Sequence, residues 1–406
     1  MTALRPPLRQ LLLKLHPRSN SHPQAALSRR TYSNNKHGDG PPTPIDIDAI
    51  RAKMLSRPPQ IWHDDLHPHN SRLLDTALAD FLPASCQPLR LHQEQLPAAH
   101  HLLYFPLRLP GSALCPDGTD PYHKPAEPAF ARRMWAGGSI RDLDAPLALD
   151  GRPAVCVERI ADVSARGAPG AEKIFVEVSR EYVDREGLST AAGVEHGTVP
   201  TGVGISERRT LVFMRMMDKE ARKQALATSL KGSGKALKVP IAPDFSVTLT
   251  PTPTLLFHYS ALTYNAHAIH LDRAYCREEE GHRDLLVHGP LALTLMLSVL
   301  RSRLASGNNS ESIHGIDYRN FAPLYVNEPL RVCVALKGGK PRETENEEGK
   351  SNGTAKKQGG IEQDGGAGEK PKQLIRRKWD VWVENKDGGL SVRGTAESRG
   401  VPGHGD

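Results

Sequence analysis

Cysteines and aromatic residues are scarce in this chain of 406 residues, which has only five cysteines and 5% aromatic residues. The five cysteines are dispersed and include no C-x-x-C pair. That pattern excludes a disulfide scaffold and a cysteine-based zinc site. The sequence also lacks any run of about 18 apolar residues, so it contains no candidate membrane-spanning helix.

Acidic residues are missing from residues 1–38, which contain seven lysines and arginines. These seven cations equal the formal charge of +7, so the rest of the chain is close to neutral and the basic pI is no sign of nucleic-acid binding. An arginine-rich, serine-containing, acid-free leader is typical of a mitochondrial transit peptide, which we expect to be disordered and cleaved between Arg30 and Ser33. The alternative is a basic disordered tail.

Large aliphatic residues are almost absent from residues 340–373, where Ile361 is the only one. Such a segment buries too little apolar area to offset its ordering entropy, so we predict a disordered insertion. A strand pattern resumes directly after it, with a hairpin turn predicted at Asp387–Gly389.

One histidine-rich segment, WHDDLHPHN, resembles a metal cluster because it contains His63, Asp64, Asp65, His67 and His69. Pro68 interrupts the helical spacing that such ligands would need, so we predict a polar turn and no metal site.

The remaining periodicities divide the chain into two halves. Residues 47–83 have helical periodicity, and the segments ARRMWAGGSIR, APLALDGRPAVCVERIADVSARG and EKIFVEVSREYVDREG alternate like antiparallel strands. A closing strand is predicted at 211–217, and a polar helix and loop at 219–238 link the first half, 47–218, to the second, 239–400. In the second half, RNFAPLYVNEPLRVCVALKGG predicts two strands around a turn at Asn327–Pro329.

The central stretch of the second half is a helix whose residues 291–300 are apolar except for Thr294 and Ser298. A helix that is apolar on every side is expected to be buried. Pro290 marks its first turn, and the unpaired N–H groups around Gly289 favour a developing oxyanion. Asn265, His267 and His270 lie shortly upstream.

The segment SALTYNAHAIHLD, Ser260 to Asp272, carries a resemblance to a known family. It resembles the pattern S-A-L-T-[FY]-N-x-H-x-I-H-x-D of mitochondrial 3-hydroxyacyl-thioester dehydratases of type 2. These are MaoC-like enzymes of the hot-dog fold, with bacterial relatives that act on mesaconyl or itaconyl thioesters. The segment RRMWAGG resembles a signature of the N-terminal repeat of the same subfamily, and Gly137–Gly138 within it predicts a bulge or a close backbone approach.

The resemblance implies an α+β double hot-dog fold, with each repeat a curved antiparallel sheet around a helix. It covers residues 50–336 and 374–397 and implies that the N-terminal repeat is degenerate, with no equivalent of the Asn265 and His270 pair. It also implies a mitochondrial matrix protein that acts on acyl carrier protein or CoA thioesters, and it allows a homodimer.

The activity implied is that of a (3R)-3-hydroxyacyl-thioester dehydratase of type II fatty acid synthesis. Two alternatives stay open: a mesaconyl- or itaconyl-type hydratase, and a non-catalytic thioester-binding or scaffold protein.

The implied chemistry needs a proton-transfer group, a group that positions water, and donors for the thioester oxygen. We expect His270 to transfer protons, Asn265 to position water, and Gly289 to supply the oxyanion donors. His267 either shares the proton transfer or is structural. The wider MaoC pattern has Asp where this chain has Asn265, and a carboxamide does not take up a proton at physiological pH. The reaction requires no metal and no redox cofactor.

Overall fold

The computed structural model describes residues 45–86, 95–144, 147–184, 203–232, 237–306, 310–338, 342–343 and 375–401. The predicted leader therefore lies outside the described residues, and so does residue range 344–373 of the predicted insertion. Among the described residues, no helix combines the length and the apolar character that crossing a membrane requires.

The strands form one antiparallel sheet of eleven strands. They are β1 (Gln60–Asp65), β2 (Arg132–Arg141), β3 (Pro153–Arg166), β4 (Lys173–Asp184), β5 (Val203–Met214), β6 (Phe245–Leu249), β7 (Ser310–Asn320), β8 (Leu330–Leu336), β9 (Arg342–Glu343), β10 (Ile375–Glu384) and β11 (Leu390–Val401). Their order is β1-β3-β4-β5-β2-β7-β11-β10-β8-β6, with the short β9 paired to β10.

This order is symmetric about the pairing of β2 with β7, in which Gly138 lies opposite Tyr318. From that centre, the first half of the chain continues through β5, β4, β3 and β1, and the second half through β11, β10, β8 and β6. Two five-strand repeats joined edge to edge confirm the predicted double hot-dog architecture.

The glycine pair of RRMWAGG lies at this central pairing. The register of β2 shifts between Trp135 and Gly137, which is a β-bulge. Gly137 has φ +152°, and a Cβ atom there would lie 2.4 Å from the carbonyl oxygen of Tyr318. Both the bulge and the close approach predicted from the two glycines are confirmed.

The helices are α1 (Ile47–Leu55), α2 (His69–Leu78), α3 (Lys219–Lys231), α4 (Pro253–Leu262), α5 (Arg273–Glu278) and α6 (Gly289–Ala305). Helix α6 is the predicted central helix: every residue from Leu291 to Leu300 is buried, and α6 packs against β7 and β8. The first half has no helix of this length among its described residues. Between α2 and β2, the described residues form only short 3₁₀ turns.

The helix predicted between the halves is also confirmed. Asp218 caps α3 by accepting a hydrogen bond from the N–H of Ala221 at 2.8 Å, and none of its described side chains is buried. A helix without a buried face contributes little to the core, which agrees with a connecting role.

Three strand boundaries differ from those predicted. The segment expected to be a polar turn contains β1, which pairs with β3, and Asp64 accepts a hydrogen bond from the N–H of Phe105 at 2.7 Å. Strand β5 begins at Val203 and not near residue 211. Strand β7, Ser310–Asn320, ends where the first of the two strands around Asn327–Pro329 was predicted to begin, so residues 321–329 form a loop and not a strand. These strand predictions were wrong because a neighbouring strand can supply backbone hydrogen-bond partners to a segment whatever its side-chain pattern. Pairing between distant segments therefore overrides the local sequence preference.

The predicted insertion connects two adjacent strands. Leu336 of β8 lies opposite Trp379 of β10, and the N–H of Lys337 donates to the carbonyl oxygen of Lys378 at 2.8 Å. Two residues of the segment, Arg342–Glu343, form β9, which departs from the predicted disorder.

We predict that replacing residues 344–373 with a short turn leaves the fold intact. The paired ends are already adjacent, and shortening a loop changes its closure free energy by only about 0.6 kcal/mol per halving of its length. Thermal and urea unfolding of the shortened and full-length proteins measure the change in the free energy of unfolding. A cooperative loss of stability well above 1 kcal/mol would show that the segment packs against the sheet.

Candidate active site

A cavity of about 830 Å³ is lined by both halves of the chain. The first half contributes residues of β2, β3, β4 and β5. The second half contributes the loop after α4 and the start of α6. All four residues predicted for the site, Asn265, His267, His270 and Gly289, line this one cavity.

The end of α4 positions Asn265. Tyr264 adopts the left-handed conformation with φ +51°, and its N–H donates to the carbonyl oxygen of Ala261 at 3.2 Å. The N–H of Asn265 donates to the carbonyl oxygen of Ser260 at 2.8 Å. These two bonds form a Schellman motif, which usually has glycine in the left-handed position. The backbone strain of a tyrosine there is tolerated directly beside a candidate functional residue, as is common at such sites.

The side chain of Asn265 is oriented by its own loop. Its oxygen Oδ1 accepts a hydrogen bond from the N–H of His267 at 3.0 Å. The NH₂ group therefore remains the part of the amide that is suited to hold a water or a substrate hydroxyl. His267 is buried, with Nε2 lying 3.6 Å from Oδ2 of Asp117.

His270 is buried in the state that a general base requires. Its Nδ1 lies 2.8 Å from the carbonyl oxygen of Leu286, and because a carbonyl only accepts, Nδ1 carries the proton. Burial lowers the pKa of His270 to about 4, with a smaller contribution in the same direction from Arg133, although the bond to Leu286 opposes it. The ring is thus neutral at physiological pH, with a lone pair on Nε2.

His288 supports the ring of His270 from one side. The two rings are stacked with their centroids 3.7 Å apart, and Nε2 of His288 lies 2.8 Å from Oγ of Ser260. Burial, followed by the charges of His270 and His267, holds the pKa of His288 well below its usual range. A neutral, fixed ring at the position preceding α6 is consistent with a structural role.

Asp272 caps α5, since its Oδ1 accepts from the N–H of Tyr275 at 3.0 Å. Because Asp272 caps α5, the side chain of His270 is not needed as a cap for this helix.

Gly289 is the first residue of α6, so its N–H has no acceptor within the helix. A Cβ atom at this position would lie 3.1 Å from Nδ2 of Asn320 and 3.2 Å from Cβ of Trp135. Only glycine therefore fits without a shift of one of these neighbours. The positive end of the helix dipole reinforces this donor for an oxyanion.

The first half contributes a loop that the sequence analysis overlooked. Asp117 accepts a backbone hydrogen bond from Ala268 at 2.8 Å, and Gly118, with φ +82°, packs directly against Ala266. A sequence signal was present: GTDPYH, Gly118 to His123, ends in histidine at the same spacing as NAHAIH, Asn265 to His270. The two segments pack against each other, and the first has glycine where the second has Asn265.

His123 belongs to a buried network of ion pairs. Its Nδ1 lies 3.2 Å from Asp120 and its Nε2 3.2 Å from Glu158, which also pairs with Arg180 at 3.1 Å. Burial by itself would raise the pKa of Glu158, but His123 and Arg180 outweigh it and lower this pKa to about 2.

Among the described residues, one cluster of potential metal ligands is close enough together to hold an ion. It consists of Asp120, His123 and Glu158, whose side-chain ligand atoms all lie within 4.8 Å of one another. The same atoms already neutralise each other and Arg180, so the group fits an ion-pair network better than a cation site. None of the residues of WHDDLHPHN belongs to this group.

Together these groups offer a neutral imidazole with an available lone pair, an amide that can hold water, and a backbone donor at a helix N-terminus. This combination suits proton transfer next to a thioester carbonyl, with water added or removed at the neighbouring carbon.

The fold is similar to that of a MaoC-like dehydratase from Phytophthora capsici. The two structures have a TM-score of 0.52 and 14% sequence identity, over 88% of this chain and 98% of the other. This likeness shows that the chain has the double hot-dog fold of MaoC-like dehydratases.

The family follows from sequence. Residues 99–326, more than half of the chain, match the family described as hydroxyacyl-thioester dehydratase type 2, and the chain belongs to this family. The mitochondrial hydroxyacyl-thioester dehydratase type 2 of Schizosaccharomyces pombe is 30% identical over 275 residues, which are 65% of this chain and 86% of the relative. The mesaconyl-C(4)-CoA hydratase of Chloroflexus aurantiacus is 30% identical over 244 residues, 60% of this chain and 76% of the relative.

Proposed function

We propose that the protein is a (3R)-3-hydroxyacyl-thioester dehydratase of mitochondrial type II fatty acid synthesis. The observation that carries the proposal is the placement of His270, whose Nδ1 is held by the carbonyl oxygen of Leu286 and which lines the same cavity as Asn265 and Gly289. The names of the relatives in fission yeast and in Saccharomyces cerevisiae support the mitochondrial pathway.

In the proposed reaction, Nε2 of His270 removes the proton on C2 of the acyl group. The N–H of Gly289 stabilises the negative charge that develops on the thioester oxygen. The electrons form the C2–C3 double bond, the C3–O bond breaks, and the departing oxygen takes up a proton and leaves as water. Asn265 orients the hydroxyl. Hydration is the same sequence in reverse.

Acyl carrier protein is the proposed carrier, with CoA as the alternative. Exposed cations line the cavity at Arg166, Lys173, Arg208 and Arg319, and they suit either the phosphates of CoA or an acidic carrier. A homodimer remains a prediction from the resemblance.

The decisive test uses purified protein without residues 1–33 and measures loss of enoyl absorbance with crotonyl, longer enoyl and mesaconyl thioesters. We expect turnover of the unsubstituted enoyl thioesters. Preference for the mesaconyl thioester would favour the hydratase alternative. No turnover of any of them would favour the non-catalytic alternative.

Substituting Asn265→Asp tests the proton route. If His270 alone transfers protons, the carboxylate is poorly matched to a position that holds water through an amide, and we expect an equal or lower kcat with no new ionisation in the pH profile. Retained activity together with a new acidic limb would contradict the route through a single histidine.

The leader is expected to direct import. Fusing residues 1–38 to a reporter should place the reporter in the matrix, because an arginine-rich segment without acidic residues has the composition of a transit peptide. A reporter that stays in the cytosol would remove the support for a mitochondrial pathway, whereas the reaction itself is tested separately by the turnover assay.

A further inference from the structure

Arg133 of β2 lines the cavity on the same strand face as Trp135, since residues two apart on a strand point to the same side. Cβ of Trp135 lies 3.2 Å from the position of a Cβ atom on Gly289. Two residues of a strand span about 7 Å, so Arg133 lies about that far along β2 from Trp135, which packs against Gly289 at the proposed oxyanion site.

Arg133 makes no ion pair with a carboxylate of the described residues, in contrast to Arg132, Arg180 and Arg209. Its Nη1 donates to the carbonyl oxygen of Asp120 at 3.2 Å, which is a neutral acceptor. Its neighbours are paired: Arg132 with Glu280 at 2.8 Å, Arg180 with Glu158 at 3.1 Å and Arg209 with Glu207 at 2.7 Å.

The acidic residues nearest to Arg133 use their carboxylates elsewhere. Asp117 accepts from Oγ1 of Thr119 at 2.6 Å, and Asp120 accepts from the N–H of Tyr122 at 2.7 Å. Burial lowers the pKa of Arg133, although Asp117 and Asp120 partly oppose this. Arg133 is partly exposed at the cavity wall and has no carboxylate within ion-pair distance among the described residues, so this position suits an occupant of the cavity that carries negative charge.

Arg133 also lies close to the proton-transfer residues. Arg133 binds the carbonyl oxygen of Asp120. The loop that contains Asp120 packs against the loop of Asn265 and His270, because the N–H of Ala268 donates to the carbonyl oxygen of Asp117 at 2.8 Å. In addition to burial, the charge of Arg133 contributes to the lowered pKa of both His267 and His270.

We propose that Arg133 is a catalytic residue of the first half, whose guanidinium holds the oxygen of C3 as that oxygen departs with negative charge. The proposal rests on the proposed dehydratase function and supplies what Asn265 lacks, a cation at the leaving group. The C2 proton passes to Nε2 of His270, the C2–C3 double bond forms and the C3–O bond breaks. The oxygen held by Arg133 then takes the proton from His270 and leaves as water.

The test compares Arg133→Gln and Arg133→Lys with a matched control, Arg132→Gln. For 3-hydroxybutyryl and crotonyl thioesters, Arg133→Gln should lower kcat by at least about 100-fold, with KM changed by less than about threefold because binding of the substrate ground state is retained. Arg133→Lys keeps the charge and should recover at least about tenfold of that loss. Arg132→Gln leaves buried Glu280 without its partner, so it should lower Tm and leave kcat unchanged.

Two further measurements separate this role from others. The loss in Arg133→Gln should persist at about pH 9, above the ionisation of every histidine. A loss that disappears there would mean that Arg133 only tunes the histidines and would overturn the proposal. It would also be overturned if Arg133→Gln lost activity only with a fumaryl monothioester, since Arg133 would then bind a substrate carboxylate. Wild-type protein inactive on all these thioesters would instead refute the dehydratase function itself.

Discussion

Replacing His270 with alanine is expected to lower kcat by at least about a hundredfold, the usual scale of general acid and base catalysis. The loss follows because Nε2 of His270 is the proposed acceptor of the C2 proton and Asn265 cannot take its place. Steady-state kinetics with a crotonyl thioester measure it. His258→Ala is the matched control, since His258 is an exposed histidine of α4 that does not line the cavity, and it should retain full activity.

The same residue sets the acidic limb of the pH profile. His270 acts as a base when neutral, and burial lowers its pKa to about 4. Activity should therefore be retained down through pH 6 and fall as the pH drops through about 4, provided that the protein remains folded. An acidic limb at about 6.5, the ordinary histidine value, would contradict a buried, neutral base.

His267→Ala decides whether the proton transfer is shared. Burial, followed by the charges of His270 and Arg133, holds the pKa of His267 well below its usual range, so this ring is neutral as well. If His267 is structural, its loss should lower stability more than kcat. A decrease in kcat comparable to that of His270→Ala would show that both histidines take part.

The central helix and the last hairpin of the second half were predictable because their local signals agree with their tertiary role. A helix that is apolar on all sides can only be central, and Pro290 with Gly289 marks its start without reference to the rest of the fold. The hairpin turn at Asp387–Gly389 connects β10 and β11 as expected, and Gly388 has φ +72°.

The contribution of the first half was not predictable from periodicity. β1 carries the polar sequence QIWHDD and is a strand because β3 supplies its backbone partners. Arg133 and Asp120 are ordinary polar residues in sequence, and only the pairing of β2 with β7 and the packing of two loops bring them to the cavity. Long-range contacts of this kind leave no local pattern.

The spacing of GTDPYH is an intermediate case. Its six-residue match to NAHAIH was visible in the sequence, but the central helix α6 that follows the second segment has no counterpart in the described residues between the first segment and β2. Without that helix there is no N-terminus to bind an oxyanion beside His123. The duplicated spacing is therefore consistent with a repeat that lines the cavity and does not form a second site.

Gly118→Ala is expected to destabilise the protein and impair catalysis together. Gly118 has φ +82°, a conformation that costs a residue with a Cβ atom about 1–2 kcal/mol. The new Cβ atom would also overlap the carbonyl group of Ala266, which is backbone between the proposed site residues Asn265 and His267. Because backbone must move to relieve the overlap, we expect a loss of at least about 2 kcal/mol in the free energy of unfolding.

Displacement of the loop of Asn265 and His267 should also lower kcat, because a shift of about 1 Å in a catalytic group can cost as much as a hundredfold in rate. Gly111→Ala is the matched control: an added Cβ atom at Gly111 meets nothing within 4 Å, so both Tm and kcat should stay at the parent values. Urea unfolding and crotonyl-thioester hydration of the two variants measure both effects. If Gly118→Ala behaved like Gly111→Ala, the loop of the first half would not hold the loop of Asn265 and His267 in place, and the case for Arg133 acting through this side of the cavity would weaken with it.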